Sequence, residues 1–458
     1  MRTANEGSRP EGLPLLSDQI DRLAIQEWVE EHDLGVEVRM FGRGFRLTGP
    51  LDTDALDSAL TALVARHEAL RAAFPDRGRT GRQEIREARP FTPERVDLTA
   101  LPEDERADEA LRLAGAFLSR NLDLDGGLLM SGVVYRLGER DHLLGLAVDH
   151  LVVDGQSFEI LVNELWELYA AAVEGREAKL PEQRFTYADF VRWEAEWLGR
   201  DPSPRQKIAR FAELLDGIGT NAPVYLPGML RETNDRYAVG TFDGSLPPQT
   251  CALLTEYCRS ARTTPFVVLF TAYLCALHAR GGRSDLAALI PVTRRTEEHL
   301  LDLVAFLSTY ATVRVRINPS LTFKELSRTV RSAVLETQRL GQVPAPEVTS
   351  SLAPNHLGRL LERPCTFFDV APGGWSGGDR EAAGLSVAPT EVPGDQHQIE
   401  SLEVFASVDD SGVDFTVLFP ADVFGEESVR ELAHEFTSLV HRFLTAPDTA
   451  IGDVLRAD

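Results

Sequence analysis

The stretch Leu144 to Ser157, reading LGLAVDHLVVDGQS, constrains the fold more than any other part of the chain. The run Leu144 to Val153 is rich in branched aliphatic residues and reads as a buried strand. Asp154 has the chemistry of a helix N-cap, and Phe158, Leu161, Leu165, Leu168 and Tyr169 follow at helical spacing up to Gly175. A strand-turn-helix junction therefore presents the imidazole of His150 beside Gly155, a residue that allows close backbone approach. That arrangement suits a general base. Taken alone, the same pattern favours a plainer reading, a core histidine before an ordinary turn.

Helix and strand patterns alternate along the rest of the chain. Leu51 to Phe74 reads as a helix with Leu60, Leu63, Val64, His67 and Leu70 on one side, and the acidic stretch after Pro102 reads as the solvated first turn of another. Met130 to Leu137 and His142 to Val153 are strand-like, and Trp193 to Pro204 reads as a polar link. Helices over Pro265 to Arg280, Thr322 to Gln338 and Glu426 to Leu444 alternate with strands, and Leu402 to Val408 pairs with Val413 to Phe419 as a hairpin. The glycine-rich stretch Pro372 to Gly384 is a flexible loop; without a strand-to-helix context it does not suit a phosphate. The alternation implies an α/β (α+β) protein with mixed sheets flanked by helices, and 458 residues suggest two or three core-bearing units.

A formal net charge of −24 argues against nonspecific nucleic-acid binding, which rests on neutralising phosphates with Lys and Arg. The N-terminal MRTANEGSRPEG lacks an apolar signal-peptide core, and no run approaches the ~20 apolar residues of a membrane span. The expectation is a soluble, cytoplasmic protein with no membrane partner. Cys251, Cys258, Cys275 and Cys365 form no Cys-x-x-Cys pair and fit no zinc ligand set, so no metal is expected.

His150-Leu-Val-Val-Asp154-Gly155 resembles the active-site motif of the condensation-domain superfamily, which includes nonribosomal-peptide condensation domains and chloramphenicol acetyltransferase-like enzymes. Other blocks resemble the family's secondary motifs, in the family's order. They are Ser17 with Arg22-Leu23, Arg66-His67-Glu68-Ala69-Leu70-Arg71, Tyr187-Ala188-Asp189-Phe190 with Trp193, and Thr264-Pro265-Phe266. Ile290 to Arg295 and Phe306-Leu307-Ser308-Thr309 follow, the latter with serine where asparagine is usual. The glutamine expected at Ile20 is missing. The resemblance runs from about Ser17 to the C-terminus, and implies two chloramphenicol-acetyltransferase-like lobes, roughly 1–180 and 181–458, forming a V with an active-site tunnel at the seam.

The resemblance also implies roles. His150 takes the proton of an attacking amine or hydroxyl, or holds that nucleophile in line, and the Gly155 N–H helps the developing oxyanion. Asp154 turns from substrate and pairs with an arginine, Arg295 by alignment or else Arg294. Asp149 stands where most members carry a second histidine and is expected to be structural. If Leu144 to His150 is a regular strand, Asp149 points to the face opposite His150. Ser157 and Ser308 are candidates for the tunnel lining. The implied protein is a monomer with no bound cofactor, meeting the phosphopantetheine thioester of a carrier protein in trans. It passes an acyl or aminoacyl group to an amine or hydroxyl, forming an amide or ester in nonribosomal-peptide-type biosynthesis. Since the chain ends with the condensation fold at Asp458, a free-standing enzyme is expected.

Three alternatives stay open. A CoA-dependent acyltransferase would differ only in the donor's handle. A heterocyclisation enzyme would match the Asp149-x-x-x-x-Asp154-x-x-Ser157 pattern but not the retained His150 and Gly155. A noncatalytic module that recruits a partner protein would usually have lost the histidine.

Overall fold

The computed structural model describes residues 12–31, 40–218, 224–231, 238–352, 365–372, 378–392 and 401–456. Two six-stranded sheets organise them. The first runs Arg380–Ala382, Leu385–Thr390, Met40–Thr48, Asp141–Asp149, Met130–Arg136, Glu94–Asp97, antiparallel throughout except for the parallel last pair. The second runs Ser308–Arg316, Asp285–Thr293, Cys365–Pro372, Ser401–Asp409, Gly412–Pro420, Val239–Ser245, and Cys365–Pro372 is parallel to both of its neighbours.

The apolar run before His150 is continuous because both faces of its strand are covered. Leu144, Leu146 and Val148 belong to a core with Leu56, Leu60, Phe158 and Leu161, from the helices Thr53–Arg66 and Gly155–Glu174. Leu143 and Ala147, on the alternate face, pack with Ala110, Ala114, Phe117 and Leu118 of the helix Glu103–Leu118. The second sheet packs on the helix Pro265–Gly281, started by Thr264 as N-cap and buried all round from Val267 to Leu277. No single described helix is long and apolar enough to cross a membrane.

Four expectations change. The helix expected to reach Phe74 ends at Arg66 and gives way to a 3₁₀ turn, Glu68–Arg71. His67 leaves helical geometry there, its buried ring held 2.6 Å from the Glu164 carboxylate. The strand expected to reach Val153 stops at Asp149, whose carboxylate takes the Leu151 N–H and whose carbonyl takes that of Val152. The supposed link Trp193 to Pro204 is mostly helix: Tyr187–Arg200 starts at a Thr186/Asp189 capping box and stacks Trp193 on Trp197. The glycine-rich stretch contributes the strand Arg380–Ala382, and Ala383 and Gly384, both at positive φ, turn the chain into Leu385–Thr390. Residues 373–377 of that stretch lie outside the described residues.

These late strands join the first sheet, with Val387 opposite Leu47, and Leu300, Leu303, Val304, Ala305 and Leu307 send side chains into its core. The two halves of the chain are therefore laced together around the junction that carries His150.

Candidate active site

His150 is the first residue past the strand end. Its Nδ1 lies 2.6 Å from the Val153 carbonyl oxygen. A carbonyl can only accept, so Nδ1 carries the proton and Nε2 presents the lone pair. The ring stands edge-on between Phe41 and Phe306, with centroids 5.6 and 5.1 Å away. Phe41 comes from the strand Met40–Thr48 of the first sheet, Phe306 from the segment that leads into Ser308–Arg316. Desolvation among these rings, reinforced by the positive charge of Arg22, pushes the imidazole pKa down to about 3. The ring is neutral across the physiological range.

Asp154 caps the helix Gly155–Glu174, accepting the Ser157 N–H at 2.7 Å. Arg295 closes a fork on it, Nη1 to Oδ2 at 2.5 Å and Nη2 to Oδ1 at 3.0 Å, and the Leu307 N–H adds a bond of 3.0 Å. Both side chains are 1% exposed. Burial works against the carboxylate's charge, but the Arg295 guanidinium and these hydrogen bonds hold its pKa below the ordinary value. Arg294 goes elsewhere: its guanidinium meets Glu194 at 2.5 Å and lies 3.7 Å from Asp18. Two consecutive arginines thus serve separate buried acids, Arg295 the Asp154 carboxylate and Arg294 those of Glu194 and Asp18.

Ser157 is not where a tunnel-lining residue would be. It is fully buried, its hydroxyl donating to the Ala305 carbonyl at 2.6 Å and accepting from the Ala305 N–H and from Arg295. Ser157 therefore belongs to the fastening that seats Leu303 to Leu307 against the start of the active-site helix. Ser308 is half-buried at the first position of its strand, opposite Thr293. Asp149 is fully buried and opens the turn that aims His150.

Gly155 is the first residue of the helix, so its N–H and that of Gln156 have no acceptor within the helix and share its positive end. A Cβ at position 155 would meet only Phe41 Cζ, at 3.9 Å. Glycine is not required there by backbone strain; it leaves space over the amide.

Sequence reasoning missed Gln19. It is fully buried, donates to the Leu151 carbonyl at 3.0 Å and to the Tyr187 hydroxyl at 2.7 Å, and accepts from Leu16 N–H and Gln83. The glutamine sought at position 20 stands one place earlier, while Ile20 is 55% exposed. Leu16, Gln19 and Leu23 fall at helical spacing, the one signal that could have pointed inward. Among the described residues no group of three or more His, Cys, Asp or Glu side chains could hold a metal ion.

The condensation-domain family model matches residues 43–457. The phosphinothricin tripeptide synthetase PhsC of Streptomyces viridochromogenes is 32% identical over 314 residues, which are 68% of this chain and 28% of that protein. The nonribosomal peptide synthetase penN of Penicillium thymicola is 28% identical over 466 residues, 99% of this chain and 16% of that one. The chain thus spans less than a third of either relative. Among solved structures, the X-domain from teicoplanin biosynthesis superposes with a TM-score of 0.80 at 24% identity, covering 97% of this chain and 98% of its own. The first condensation domain of the CDA synthetase gives 0.76 at 21% identity, covering 98% and 99%. These structural likenesses establish a shared fold of two chloramphenicol-acetyltransferase-like lobes.

Proposed function

The chain belongs to the condensation-domain family, and from that premise we propose that it is an acyltransferase moving an acyl or aminoacyl group from a carrier protein's phosphopantetheine thioester to an amine or hydroxyl acceptor. The observation that carries the reading is the Nδ1 to Val153 bond, because it fixes the one tautomer whose Nε2 can accept from a nucleophile. The acceptor's N–H or O–H donates to Nε2 while its heteroatom attacks the thioester carbonyl carbon. The developing oxyanion is met by the N–H groups at the start of the helix Gly155–Glu174. Collapse expels the thiolate, which leaves with the proton, giving an amide or ester and a free thiol. A ring with a pKa near 3 is a poor store for a proton. His150 therefore acts chiefly by holding the nucleophile in line.

One consequence concerns pH. Since the folded ring gains a proton only near pH 3, turnover should show no acid limb from His150 as pH falls from 8 to 5. A rate profile with an inflection near 6.5 that vanishes in His150→Gln would contradict the low pKa. Stability should respond in the same region, because the unfolded chain binds the proton that the folded ring refuses. This contribution weakens the fold as pH drops below about 6.5.

Asp149 bears on the product. Its buried carboxylate is engaged in the turn, and we read it as structural rather than as a ring-forming group. Asp149→His should keep substantial activity, whereas Asp149→Ala should cost about 1–3 kcal/mol by stranding the Leu151 N–H. Products should be linear, without loss of a second water, as intact mass would show. A thiazoline or oxazoline product that disappears in Asp149→His would move the assignment to heterocyclisation.

A binding-module reading has its own support in the likeness to the X-domain, one structure of which is its complex with OxyB, at a TM-score of 0.77. Intact-mass detection of transfer from loaded carrier proteins or acyl-CoAs to a panel of amines and alcohols separates the readings. Transfer from the carrier supports the proposal, transfer from CoA alone changes the donor, and none from either favours the binding module.

A further inference from the structure

Arg22 lies on the helix Ser17–Glu31, and its guanidinium carbon stands 4.7 Å from the Phe306 ring centroid. The same ring meets the His150 imidazole at 5.1 Å. The Arg22 cation and the His150 imidazole therefore contact the same aromatic ring. Among the described residues, no hydrogen-bond acceptor meets the half-buried guanidinium. The nearby acids balance its charge without engaging its donors. Asp18, four residues earlier, turns its oxygens to Arg294 at 3.7 Å and the Thr309 hydroxyl at 3.5 Å, and Asp149 accepts from Leu151. Burial pushes the Asp18 carboxyl up to about 7, so it is only partly ionised at neutral pH. A planar fork of five donors, partly withdrawn from water with no acceptor among the described residues, calls for a planar two-oxygen anion from outside.

We propose that Arg22 binds a carboxylate of the acceptor, set close to its nucleophilic amine or hydroxyl, so that the preferred acceptor is a free amino or hydroxy acid. The inference rests on the acyl-transfer reading above. The donor's reacting carboxyl does not supply this anion, since it is tied up in the thioester, and the phosphate of its arm lies a full arm's length from the sulfur. The α-carboxyl of a carrier-tethered acceptor does not supply it either, being esterified to sulfur. A free acid places carboxylate and nucleophile a few bonds apart, which suits two protein groups that both contact one phenyl ring. The anchor is a specificity device: it touches substrate and leaves the bond-forming step to His150 and the helix terminus.

The test pairs the proteinogenic amino acids with their carboxamides, first by calorimetric binding without donor, then as acceptors with a loaded carrier protein. The wild type should bind and use at least one acid about tenfold or more better than its amide, the scale of one charge-assisted recognition. Arg22→Gln should collapse that ratio through KM rather than kcat, and Arg22→Lys should restore part of it. Wild-type protein that binds no acid in preference to its amide overturns the inference, as does a ratio left intact in Arg22→Gln. If no acceptor is acylated, the acyl-transfer reading fails, and the calorimetric preference still decides whether Arg22 is a carboxylate site. Should Arg22→Gln fail to fold, the wild type and Arg22→Lys decide between the same outcomes.

Discussion

His150→Ala should lower turnover by about 10²-fold or more in a protein whose fold is intact, the scale of a lost base or hydrogen-bond acceptor at the reacting group. The ring is half-buried and its bond to backbone goes to a turn carbonyl, so its removal takes little from the core. What is lost is the imidazole at the strand end, with its lone pair set by the bond to Val153 and its plane set between Phe41 and Phe306. His150→Gln, which keeps a polar atom but not the ring's geometry, should recover only a small part. The measurement is single-turnover transfer from a loaded carrier, with circular dichroism and melting temperature beside it. Near-normal turnover in folded His150→Ala would sink the assigned role.

The largest loss of stability is expected at the pair that closes over the active-site turn. Arg295→Ala leaves the Asp154 carboxylate 1% exposed with two backbone N–H groups and no counter-charge, and Asp154→Asn leaves the guanidinium in the same position. Stranding one member of a buried pair costs on the order of 3–5 kcal/mol. The double variant should be less damaged than the sum of the singles, since it leaves no lone charge, and a double-mutant cycle measures that coupling. Activity should fall together with melting temperature. Arg295 and Ser157 also hold the Leu303 and Ala305 carbonyls, and that segment carries Phe306 to the side of His150. Unchanged melting in both single variants would show that the pair does not fasten the lobes. Arg294→Ala serves as a comparison, because it breaks a different buried pair, with Glu194, and leaves the fork on Asp154 in place.

Local chemistry was legible in the sequence wherever the cause is local. The helix after Asp154 could be read because capping, apolar spacing and a glycine stop all act within a few residues: Asp154 takes the Ser157 N–H and Gly175 closes the helix at positive φ. The buried strand before it could be read because a sheet covered on both faces demands an unbroken apolar run. The order of the motif blocks was enough to place the family.

What the sequence alone left undecided depends on which distant groups meet. Arg294 and Arg295 are neighbours in the chain and equal in chemistry; only their opposite directions at the strand end send one to Glu194 and the other to Asp154. Ser157 has the pattern of a cleft residue and is consumed instead by Ala305, 148 positions away. Gln19 reads as a surface residue until Leu151 and Tyr187 are packed over it. The helix that stops at Arg66 does so because His67 finds Glu164, and the strands Arg380–Ala382 and Leu385–Thr390 complete a sheet begun more than three hundred residues earlier. Pairings of this kind have no local signature. They are decided by where a buried donor finds its acceptor once the two halves of the chain have closed on each other, because an unmet polar group there costs more than a break in local periodicity.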